Sequence, residues 1–160
     1  MDFETLQQQY QNIQQDLPDF IQLDKEFEIY TYFSTQHLPA HQILRNIRRC
    51  ISQRLWNVVT FLHNYLSPDQ KNLIIMEETT KLTDQDKQKI SQVMRKLTIT
   101  SRKNVLLELK LDEDKDRKYI QEMIDTWHSI KPDFEAIVDK NLQGWETTHH
   151  QEDRDMSYYG

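Results

Sequence analysis

PAHQILRNIRRCISQRLWNVVTFLHNYL, residues 39–66, decides the fold. Ile43, Ile47, Cys50, Ile51, Leu55, Val58, Leu62 and Leu66 recur at steps of three and four, the spacing that lines one flank of an α-helix. The arc is broad, and it predicts a long central helix over about 39–66. Proline lacks an amide donor and suits a first helical turn, so Pro39 marks the start.

The same periodicity continues on the N-terminal side. Phe3, Leu6, Tyr10, Ile13 and Leu17 form a heptad seam that predicts a helix from about Asp2 to Asp16. After Pro18, Phe20, Leu23, Phe27 and Tyr30 keep the same steps, and Ile21, Ile29, Tyr32 and Phe33 add a second apolar side. Each seam covers barely two heptads, which suits a helical hairpin inside a bundle. The Phe3–Leu17 seam is also a candidate for pairing with a second copy of the chain.

On the C-terminal side, Ser67-Pro68-Asp69-Gln70 reads as a capping box ahead of a short helix with Leu73, Ile74, Ile75 and Met76. Thr83 precedes the next start, with Asp84 and Asp86 favouring the N-terminal dipole and Ile90, Val93, Met94 and Leu97 forming the stripe. Residues 97–111 admit two readings. Leu107, Leu109 and Leu111 alternate with charges, as in a small hairpin turning at Ser101 to Asn104. The leucine, lysine and glutamate content and a turn without glycine favour helix, with Thr98 to Ser101 a candidate kink. Tyr119, Ile120, Met123, Ile124 and Trp127 define a sixth helix over about Glu113–Ser129. A last one starts at Pro132, carries Phe134, Ile137, Val138 and Leu142, and stops at a left-handed Gly144, with Trp145 folding back on its final turn.

The predicted class is therefore all-α: a single-domain bundle of six or seven helices over residues 1–146, followed by a polar, mobile tail over 147–160. Only two glycines and four prolines occur in 160 residues, which leaves no phosphate-cradling loop and no many-turned β fold. One cysteine, no secretory leader and no apolar run of the ~20 residues a bilayer span needs imply a soluble, cytoplasmic protein without a membrane partner. A net charge of −6 disfavours bulk attraction to nucleic acid or anionic lipid.

The sequence offers little chemistry. His37 and His41 are interrupted by Pro39, and His149 and His150 lie in the tail. Asp125 and His128 make half of a carboxylate-x-x-His di-metal motif, with Glu122 one turn earlier. His63 has Thr60 where the second half needs an acid, so no metal and no cofactor are implied. Cys50 sits in an apolar arc, where a thiol is ordinary packing. Arg54 falls in the same arc and calls for a carboxylate partner at least half buried.

The richest constellation is basic. Arg45, Arg49, Ser52, Trp56 and His63 share one stripe of the third helix, and Arg48 flanks it. Such a stripe can pack inside the chain, clamp acidic side chains of a partner, or grip phosphates while the indole stacks a base. Arg95, Lys96, Arg102 and Lys103 form a second cluster near the candidate kink. The terminal Met156-Ser157-Tyr158-Tyr159-Gly160 has the look of a short docking motif. With aromatics on many helical faces and no catalytic pattern, the sequence favours a non-enzymatic interaction or adaptor protein, a subunit of a protein complex. The alternative is a nucleic-acid-associated subunit using the basic stripe, and a third reading is a helical enzyme or small-ligand pocket.

Overall fold

The computed structural model describes residues 2–36, 42–110 and 112–156, the last ten of these by backbone alone. Among them are seven helices and no strand: α1 (Phe3–Gln11), α2 (Phe20–Phe27), α3 (Ile29–Gln36), α4 (Ile43–Leu66), α5 (Leu73–Thr80), α6 (Asp84–Glu108) and α7 (Glu113–Met156). The chain is an all-α bundle, and no described helix is long and apolar enough to cross a membrane. His37, Pro39, His41, Leu111 and the Ser157–Gly160 end of the candidate docking motif lie outside the described residues, as do the side chains of His149 and His150.

Cα packing divides the chain into two compact units. One comprises Met1–Val58 with Leu97–Trp127, the other Val59–Lys96 with His128–Gly160.

In the first unit the N-terminal seam is used within the chain. Leu6 and Tyr10 are fully buried, and the Phe3 and Tyr10 rings meet Phe20 of α2 at 5.3 and 5.7 Å. The face suggested for a second copy is thus covered by α2. α1 ends at Gln11 rather than near Asp16, because the chain turns back through Gln15 at φ 48°. Tyr10 Oη donates to Pro18 O at 2.7 Å and secures that turn.

The second predicted helix is two helices. Glu28 adopts a left-handed conformation, φ 51°, and ends α2. A non-glycine residue there costs on the order of 1 kcal/mol. Asp24 offsets this, its carboxylate accepting from Tyr30 N at 2.6 Å at the start of α3. α4 then buries Ile43, Leu44, Ile47, Cys50, Ile51 and Leu55. Each such aliphatic contributes roughly 1.5–3 kcal/mol by leaving water. The Cys50 thiol donates to Phe27 O at 3.4 Å, and burial pushes its pKa up to about 12, so it is packing. Arg54 does pair with a carboxylate, Glu28, but the pair is well exposed.

In the second unit α5 is capped by Asn72, whose side chain accepts from Ile75 N at 3.2 Å. The expected cap at Ser67-Pro68-Asp69-Gln70 is instead an irregular link, in which Asp69 accepts from Lys71 N. α6 begins as read: Thr83 and Asp86 exchange reciprocal bonds at 2.8 and 3.2 Å, and Asp86 also pairs with Lys140.

α6 runs unbroken through Thr98–Ser101 to Glu108, so helix prevails over hairpin and there is no break. α7 passes through Pro132 and Gly144 to Met156 and, at 44 residues, is longer than the 24-residue α4. Gly144 is not left-handed. A Cβ there would stand 3.0 Å from Lys81 Cδ, so its smallness admits the lysine stem. Trp145 does not fold back on its own helix. Its Nε1 donates to Glu78 of α5 at 2.8 Å, and Lys81 Nζ lies 4.7 Å from the ring centroid.

Candidate functional site

Two features of the first unit stand out, and they share the turn between α6 and α7. The first is an ionic knot. Arg45, Arg48 and Arg49 of α4 all reach Glu108, at the end of α6, with Nη to Oε separations of 2.8, 2.7 and 2.6 Å. Arg48 is fully buried. Its Nε stands 2.7 Å from Oδ1 of Asp116, itself nearly buried in the first turn of α7, and its Nη1 donates to Asn104. Arg45 also donates to the Glu108 carbonyl at 2.8 Å, satisfying an acceptor that a helix end leaves open. The knot therefore ties three helices together.

The electrostatics follow from the geometry. Hydrogen bonds from Arg49, with help from Arg45, hold the Glu108 carboxyl at a pKa of about 2, against an ordinary 4.5. Burial raises that of Asp116, although Arg48 opposes the shift. A carboxylate depressed in the folded state contributes stability above its unfolded pKa and loses it as pH falls toward the folded value. For Glu108 that window runs from 4.5 down to about 2, while Asp116 acts in the opposite sense. We expect Glu108→Gln to be less stable than wild type at neutral pH and to lose less stability across this window. Urea unfolding at neutral and acidic pH checks it, and parallel losses in the two proteins would count against the knot.

The second feature is a surface groove of about 600 Å³ between α6 and α7. Its apolar lining is Leu106, Leu107, Leu109 and Tyr119; Leu106 and Leu109 are 67% and 77% exposed. Tyr119 is fixed from beneath, its hydroxyl donating to Thr100 O. Lys103 and Lys110 stand on the α6 side, Lys115 and Lys118 on the α7 side. Lys103 pairs with Glu122 and Lys115 with Asp112. Lys110 and Lys118 have no ion pair among the described residues.

The remaining residues singled out from sequence are scattered. Trp56, 42% exposed, lines a polar hollow of about 300 Å³ with Tyr32, Arg49 and Ser52. His63 is exposed in the second unit. Arg95 and Lys96 are exposed there too, whereas Arg102 and Lys103 belong to the first unit. Asp125 accepts from Gln121, one turn earlier, and is exposed like His128. Among the described residues no three His, Cys, Asp or Glu side chains are placed to hold a metal ion.

Sequence reasoning anticipated the arginines but not Glu108, Asp116 or the groove. The alternation of Leu107 and Leu109 with charged residues was the available signal. Leu107 has Lys103 and Asn104 one turn before it and Leu109 has Asp112 and Glu113 one turn after it, so neither continues an apolar stripe.

No protein-family model, no curated protein and no solved structure matches this chain. The site defines a class only in physical terms, a helical bundle with an ion-tied corner beside an apolar groove.

Proposed function

We propose that this chain is a non-enzymatic interaction module that docks a protein partner, as an adaptor or as one subunit of a complex. The observation that carries the reading is the exposure of Leu106 and Leu109, at 67% and 77%, in a groove beside a well-packed interior. Each would contribute roughly 1.5–3 kcal/mol if a partner covered it. Apolar side chains gathered in one concavity mark an interaction surface more strongly than the same residues scattered singly.

The nucleic-acid alternative draws less support. Its arginines are turned toward Glu108 and Asp116, and Arg48 is buried. Phosphate binding would have to compete with those carboxylates.

The test is affinity capture by the full chain from nuclease-treated lysate, beside the variant Leu106→Ser with Leu109→Ser. Both side chains are exposed, so the variant is expected to keep its helical circular dichroism. Wild type should retain protein partners that the variant loses by at least about tenfold, as when anchor residues are removed. Partners retained equally by the variant, or lost on nuclease treatment, would contradict the reading.

A further inference from the structure

We infer that the groove between α6 and α7 receives an amphipathic helix of a partner protein that carries acidic side chains on both flanks of its apolar stripe. The inference rests on the interaction reading above and specifies the partner's chemistry.

The chain as a whole is acidic, with a net charge of −6. Around this groove the balance reverses: Lys103, Lys110, Lys115 and Lys118 line it against a single acid, Glu122. Local inversion of sign on an acidic protein favours acidic partners and speeds their encounter. Lys110 and Lys118 make no ion pair among the described residues, so a partner's carboxylates would not have to displace an acid of this chain there.

Shape and charge placement then choose among anionic apolar ligands. The floor runs from Lys103 in α6 to Lys110, two residues past the end of that helix, a span on the order of 10 Å. Two helical turns of a partner, offering apolar residues at i, i+3, i+4 and i+7, fit that length. Lysines flank the leucines on two sides, Lys103 of α6 with Lys110 just past its end on one, Lys115 and Lys118 of α7 on the other. A fatty acid presents one carboxylate at one end and would leave most of the rim unanswered. A bilayer surface is broad and cannot enter a trough between two helices. An acidic helix meets both lysine rows while its stripe covers Leu106, Leu107 and Leu109.

Fluorescence anisotropy with the full chain tests this. The probe is a labelled synthetic helix of about 15 residues, with leucines at i, i+4, i+7 and i+11 and glutamates on both flanks. Its twin carries lysines in place of the glutamates, and vesicles of phosphatidylserine and phosphatidylcholine form the third arm. The glutamate peptide should bind at least about tenfold tighter than its twin. Lys110→Glu with Lys118→Glu should erase or reverse that preference, and Leu106→Ser should weaken binding of the glutamate peptide.

Equal binding of the two peptides, tighter binding of the lysine twin, saturation only by vesicles, or no saturable binding of either peptide by about 1 mM would overturn the inference. So would self-association of the wild type, by light scattering, that Leu106→Ser abolishes. The broader interaction reading falls separately, in the nuclease-treated capture. Partners there that depend on Leu106 while the acidic peptide fails would leave a docking groove with a different partner chemistry.

Discussion

Arg48→Met is expected to lower the unfolding free energy by about 3–5 kcal/mol, the usual loss when one member of a buried ion pair is removed. Arg48 has a fully buried side chain, and two carboxylates and Asn104 converge on it. Methionine fills similar length but supplies no donor. Glu108 retains Arg45 and Arg49, so its charge stays compensated. Asp116 pairs with Arg48 in the structure, and burial already raises its pKa. The variant must either keep a buried carboxylate without that partner or protonate it. A group whose folded pKa is raised costs least once it is neutral, so the deficit should narrow as pH falls through the raised pKa of Asp116. Asp116→Leu added to Arg48→Met should recover much of the loss, because an apolar pair can replace a buried ionic one. Urea unfolding of the two variants beside wild type decides the matter. A single-variant deficit below about 1 kcal/mol would mean the knot is surface ornament of the kind exposed ion pairs usually are.

Pro132→Ala is expected to stabilise the protein by about 1–3 kcal/mol. Proline in a helix interior is roughly 3 kcal/mol less favourable than alanine, since it offers no N–H to the carbonyl four residues earlier and crowds it. Part of the gain is returned, because alanine gives the unfolded chain more freedom. α7 tolerates the proline because burial holds it on both sides: Ile130 is fully buried and Ile137 nearly so. If Pro132 instead opened a separate helix, it would sit where its missing donor is harmless, and alanine would be neutral or destabilising. Thermal unfolding gives the sign directly.

That second case shows how far the sequence could be read. Amphipathic spacing located the helices of the bundle, since the physics is local and repeats every turn. Boundaries set by tertiary packing were not local. Pro132 and Gly144 carry the usual marks of a helix start and stop, yet Met123, Ile130 and Ile137 stand seven apart across the proline. Ile130 was the residue that could have revealed one continuous helix. The Glu28 break gave no composition signal, because glutamate rarely adopts φ near 51° and does so here with Asp24 capping the next helix.

The candidate site divides the same way. Arg45, Arg48 and Arg49 were visible as a basic stripe because they share one helix. Their carboxylates lie about 60 residues further along, and nothing in a single sequence pairs Arg48 with Asp116. The groove was hidden because each of its walls looks ordinary alone. The α6 segment reads as a polar helix with spare leucines, and the α7 segment as a charged first turn. Only when Asp116, Glu108 and Arg48 close the corner do four lysines come to surround one apolar floor.

The most direct test of the docking surface is methyl NMR of the leucine- and isoleucine-labelled full chain, titrated with the glutamate-flanked helical peptide. Shifts are expected at Leu106, Leu107 and Leu109, with Ile90 and Ile137 of the second unit unmoved and the response lost in Lys110→Glu with Lys118→Glu. Saturable shifts centred on other methyls, such as exposed Leu73 and Ile74 of α5, or none at the three groove leucines, would contradict it.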